Sequence, residues 1–271
     1  MKKRLIIAGY VILYLGIMFI FSRITQTLWF GLTPPKIANH NYLLFVFGAF
    51  LLTLISYGVI FKLRKKNLIK TCNFAKLSVK NFGMSLTVGL LFGVFTSSLC
   101  NTSYIIKNIP GFEQYVMNQL HGMSTFAAVL VVIAFIFASE EVIFRGVIFN
   151  EIRNGASLYA SVLIATALYG VINSITEGVA IAIFALIAAL FYNLAYVYMQ
   201  SLWASIIIQI SSIYLMLVFI KTGLWIWLRH LGDGVLLPVI IIIPLLVIIV
   251  FYFMRRDYQK ITATGKTSVP A

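Results

Sequence analysis

Apolar runs long enough to cross a bilayer dominate the chain and restrict its fold more than any other feature. They are Leu5–Phe21, Leu43–Phe61, Phe82–Cys100, Met123–Asn150, Ser157–Ser174, Val179–Met199, Leu202–Ile220 and Leu236–Met254. About 20 apolar residues suffice to span the hydrocarbon. There the backbone has to satisfy its own hydrogen bonds, which a helix does within one segment. Of the 271 residues, 61% are hydrophobic and 10% charged. The expected fold is therefore all-α: a polytopic membrane protein of about eight transmembrane helices, with residues 1–271 forming a single membrane domain and no soluble module. The first run follows Lys2, Lys3 and Arg4 but is longer than a usual signal core. Ser22–Gln26 offers no small-residue cleavage site, so a retained span is expected.

The formal net charge of +14 does not point to a nucleic-acid partner, because the basic residues lie between the apolar runs. The Lys62–Lys80 segment carries Lys62, Arg64, Lys65, Lys66, Lys70, Lys76 and Lys80 with no acid. Such a loop stays on the cytoplasmic side, which places both termini there as well. Its expected role is to lie against anionic lipid. A loop is expected around Pro34, Pro35 and Lys36, and a cytoplasmic turn at Glu151 and Arg153. An outer loop should hold Lys221, Arg229, His230 and Asp233. Phe112, Tyr115, Val116, Gln119 and Leu120 fall at helical spacing, as in a short interfacial helix on the outer surface that ends near His121. Cys72 and Cys100 sit at opposite ends of the third run, and no CxxC spacing exists for metal or redox work.

Only seven residues are acidic, and two of them, Glu140 and Glu141, stand together inside the fourth run. A charge at membrane depth costs roughly 2.5–3.5 kcal/mol on insertion. On an α-helix Glu141 and Arg145 are i and i+4, with the acid N-terminal as an ion pair prefers. Glu140 is turned away from Glu141 and shares its face with Phe137, Phe144 and Val147. An apolar setting beside a second carboxylate raises an acid's pKa, which suits a general base. Other runs carry Tyr169 and Asn173, again i and i+4, and Ser205, Gln209 and Ser212. Tyr192, Asn193 and Tyr196 are expected to hold helices together, at about 0.6 kcal/mol per interhelical hydrogen bond.

Glu140-Glu141-x-x-x-Arg145 resembles the first motif of the CAAX-protease and bacteriocin-processing family of intramembrane peptidases. That family's second motif is an aromatic residue followed four positions later by histidine; Tyr169-Gly170-Val171-Ile172-Asn173 occupies its place. The third is a histidine with an asparagine four residues on; Ser201-Leu202-Trp203-Ala204-Ser205-Ile206 leads here to Gln209 and Ile213. The resemblance covers a core at 125–215. It implies an endopeptidase with Glu140 activating water, Glu141 and Arg145 as scaffold, and Asn173 and Gln209 polarising the carbonyl. Phe144, Tyr169 and Ser212 would line the substrate. The substrate class it implies is a peptide or protein, prenylated or membrane-embedded, met in a multi-pass protein of the bacterial plasma membrane. An older view makes the family's residues metal ligands, but neutral amides suit zinc poorly, and no cofactor is expected. The lost histidines leave a second reading, an inactive member that acts as a bacteriocin-immunity protein. Measured along each run at 1.5 Å per residue, Glu140 lies ~15 Å and Gln209 ~12 Å from the inner end, and Asn173 ~24 Å.

Overall fold

The computed structural model describes residues 2–109, 111 and 126–263, and within them every regular element is a helix. The expected interfacial helix at 112–120 and His121 lie outside the described residues. Seven helices are long and apolar enough to cross a membrane: Lys3–Leu32, Tyr42–Leu63, Val79–Cys100, Leu158–Glu177, Ile181–Met199, Leu202–Thr222 and Asp233–Lys260. The fourth apolar run is helical throughout its described part but changes helix type along its length. The chain divides into two compact units, Met1–Phe74 with Gln119–Tyr169, and Ala75–Asn118 with Gly170–Ala271.

In the first unit, α1 (Lys2–Leu32) packs against α3 (Tyr42–Leu63). α1 runs eleven residues past the expected end at Phe21, because polar residues there keep to the helix. Thr25 Oγ1, for example, returns its proton to the Phe21 carbonyl at 2.7 Å. The Pro34-Pro35 loop contains a short helix, α2 (Pro35–His40), with Pro35 at its first position, where no amide proton is needed. Trp29 Nε1 closes this turn on the Ala38 carbonyl at 3.1 Å. Buried Tyr57 donates to the Tyr14 carbonyl at 2.7 Å, and the two rings meet edge to face at 4.8 Å. α4 (Leu68–Cys72) is a surface turn whose Cys72 is fully buried, so the thiol is pushed up to about 12 and stays neutral.

The second unit is built on α5 (Val79–Cys100), α10 (Val179–Met199), α11 (Leu202–Thr222) and α13 (Asp233–Ala263). Gly89 and Gly93 let α5 lie directly on α11: a Cβ at Gly89 would sit 2.5 Å from the Ile208 carbonyl oxygen. Val88, Phe92, Tyr192, Ile208, Val247 and Phe251 fill the core between these helices. Gln200, at φ +50°, makes the expected tight turn, and Ser201 caps α11. The segment expected as an outer loop contains a helix, α12 (Leu224–Leu231), set off by Gly223 and Gly232 at positive φ. Arg229 and Asp233 are engaged there, with Arg229 Nε donating to Asn101 and Asp233 accepting from the Ser103 amide.

Candidate active site

The expected uninterrupted α-helix around the two glutamates is three segments. α7 (Phe126–Glu141) passes into a π-helix (Val142–Phe149), and α8 (Asn150–Arg153) ends it. A π-helix bonds i to i+5, so each turn holds an extra residue and stacks differently from an α-turn; such stretches occur often at functional sites. Gly146 lies inside it, and Asn150 anchors its end. Asn150 Nδ2 donates to the Gly146 carbonyl at 2.8 Å and to the Thr71 carbonyl of α4 at 2.8 Å. Neither Asn150 nor α4 stood out in the sequence, because this link joins residues 79 positions apart.

The ion pair survives the change of helix. Arg145 Nη1 and Glu141 Oε1 lie 3.0 Å apart, with the two side chains 1% and 0% exposed. Glu140 is half-buried and has a different partner: the Tyr169 hydroxyl donates to its Oε1 at 2.7 Å. The apolar setting expected for Glu140 thus includes a phenol. Tyr169 is buried on α9 (Leu158–Glu177), its ring edge to face with Phe144 at 4.8 Å. The Arg145 guanidinium carbon lies 4.8 Å from the centroid of the same ring. One tyrosine therefore ties both acids together, touching Glu140 directly and Glu141 through Arg145.

Glu140, Glu141, Phe144, Arg145 and Tyr169 all belong to the first unit, where these contacts bring them together. Asn173, Gln209 and Ser212 belong to the second. Asn173 is half-buried near the end of α9, and Gln209 and Ser212 are buried on α11, 4% and 5% exposed. Ser205, on the same helix, returns its hydroxyl to the Leu202 carbonyl.

Glu151, which the sequence marks only as a turn residue, is a further buried acid. It sits just before the turn, with Arg64 donating to it and the Lys66 Nζ at 3.8 Å. Burial acts against the charge on Arg64, but hydrogen bonds to Glu151 and Tyr14 outweigh it and hold the guanidinium above its ordinary range. The available signal was its scarcity, as a third acid eleven residues past Glu140 in a chain with only seven.

Metal chemistry needs donors of another kind. Among the described residues no three His, Cys, Asp or Glu side chains are grouped as a metal would require. The positions that resemble the family's histidines hold amides, which suit a metal poorly.

Residues 122–215 match the family model described as Rce1-like, type II CAAX prenyl endopeptidase. No curated protein and no solved structure matches the chain. The matched stretch opens just before α7, contains both acids and Tyr169, and closes within α11. Over residues 122–215 the chain is thus similar to the Rce1-like type II CAAX prenyl endopeptidases, and its seven helices long and apolar enough to cross a membrane point to a multi-pass membrane protein.

Proposed function

We propose that the chain is an intramembrane endopeptidase in which Glu140 activates water against a peptide bond of a membrane-anchored substrate. The observation that carries this reading is the division of labour between adjacent carboxylates. Glu141 is committed to Arg145, whereas Glu140 is oriented by a phenol that leaves it half-buried. In the proposed step the Glu140 carboxylate takes a proton from water as the water oxygen bonds to the carbonyl carbon. Collapse of the tetrahedral intermediate breaks the C–N bond, and the same proton passes from Glu140 to the leaving amine. Asn173 and Gln209, on their sequence positions, are proposed as amide donors to the carbonyl oxygen. The family description makes a prenylated peptide with a C-terminal CAAX sequence the first substrate to try.

The test is reconstitution of the full chain in vesicles with such a peptide and measurement of the released C-terminal fragment. Glu140→Gln should lower the rate by about 10² or more, in keeping with loss of a general base, and leave the melting temperature unchanged. Cleavage at the wild-type rate by that variant would remove Glu140 from the mechanism. The amides at 173 and 209 favour a second reading, a non-catalytic immunity protein against a bacteriocin. Under it, cells carrying Glu140→Gln stay protected, and restoring histidine at both positions brings no cleavage.

A further inference from the structure

A recess lies in the first unit, at the end of the helices that carries Lys3. It is open to the outside, has a volume of about 470 Å³, and is lined by Lys3, Ile6 and Tyr10 of α1, Arg64 and Lys66 beyond α3, and Glu151 of α8. Three cations therefore line the recess against one carboxylate, which leaves two surplus positive charges there. Glu151 is the buried member and its charge is already engaged by Arg64.

The recess is built rather than merely charged. The Arg64 guanidinium carbon lies 3.5 Å from the centroid of the Tyr10 ring, and its Nη1 donates to the Tyr14 hydroxyl at 2.6 Å as well as to Glu151. These contacts fix the guanidinium before any ligand arrives, so little side-chain freedom remains to be lost on binding. Lys65 adopts φ +56°, a left-handed state that a lysine rarely takes. Its amide bonds to the Lys62 carbonyl and the Lys66 amide to the Phe61 carbonyl, a reversal that brings Lys66 back towards Glu151. Ile6, 52% exposed, continues the recess onto the apolar flank of α1.

We infer that this recess binds a phosphate group, with Lys3 and Lys66 supplying the surplus charge and Arg64 the fixed donors. Planar guanidinium and flexible ammonium groups together suit a phosphate. The exposed apolar flank suits a phosphate carried on a lipid headgroup, with its acyl chain along Ile6. This site uses none of the residues assigned to peptide hydrolysis.

The full chain in detergent would be titrated with phosphatidic acid, phosphatidylcholine and inorganic phosphate, and binding read by native mass spectrometry and thermal shift. Arg64 stays intact, because Glu151 depends on it. Lys3→Gln/Lys66→Gln should weaken phosphatidic acid binding about fivefold per lysine, about 25-fold together, while Lys70→Gln/Lys76→Gln, outside the recess, changes it far less. That selective loss supports the site with a lipid headgroup as its source. Stabilisation by inorganic phosphate that the first pair of substitutions abolishes supports it with a soluble source. Phosphatidic acid binding no tighter than phosphatidylcholine, or equal losses in the two double variants, overturns it.

Discussion

Tyr169 has two separable functions at the candidate site: its hydroxyl holds Glu140, and its ring packs on Phe144 and beneath Arg145. Tyr169→Phe removes only the first. A hydrogen bond to a charged group contributes roughly 1.5–3 kcal/mol, so an oriented base should lose about tenfold or more in kcat with little change in KM and only a modest fall in melting temperature. Tyr169→Ala removes both, and its melting temperature should fall further, since a buried aromatic side chain is lost; parallel cleavage and melting measurements separate the two. The Glu141–Arg145 pair calls for a different experiment. Stranding a buried charge costs roughly 3–5 kcal/mol, whereas removing both partners of a buried pair is often far milder. Arg145→Met should therefore be severely destabilised, and adding Glu141→Leu should recover part of the loss in the same unfolding assay. Of these residues, the two acids and Arg145 are legible in sequence because they lie within one turn and contradict their apolar surroundings. The Tyr169 bond was not legible, since it closes across 29 residues.

Among the elements, α5 and α11 depend on the closest approach. The missing side chain at Gly89 lets the α11 backbone in, and a Cβ there would overlap Ser211 Oγ and press on the Ile208 carbonyl. Gly89→Ala should cost about 1–3 kcal/mol through overpacking, read as a lower melting temperature. Gly58→Ala, on α3 with open space around it, should stay within roughly 0.5 kcal/mol of wild type and serves as the control. Helix extents followed hydropathy well where the turns are marked: α10 runs Val179–Met199 as expected, and Gln200-Ser201 is the turn. They departed where polar residues hide their hydrogen bonds inside a helix, as in α1 beyond Phe21. The π-helix escaped notice for a related reason. Its residues are as apolar as their neighbours, and only the bonds made by Asn150 mark the site.

For the whole molecule, the distribution of lysine and arginine predicts orientation. Reporter fusions placed in the Lys62–Lys80 segment and at the C-terminus should both report the cytoplasmic side, in line with the positive-inside rule; opposite sides would refute the expected arrangement. Some basic residues have local partners too. Lys80 pairs with Asp257 inside the second unit, and Arg64 with Glu151 inside the first. The basic loop is therefore part of the tertiary structure as well as a topological signal.

By itself the sequence determined that the chain is helical and multi-pass, where most of its apolar helices lie, and that Glu140, Glu141 and Arg145 are its least expected residues. Hydropathy and spacing along one helix are local, and bilayer thickness turns them into structure with little help from distant residues. Tertiary structure alone decided the chemical difference between the two acids, the π-turn that carries Arg145, and the burial of Glu151 against Arg64, 87 residues away. Each depends on a polar group finding its partner across the fold. In a low-dielectric interior that choice is governed by the cost of leaving the group unsatisfied, which no local pattern records.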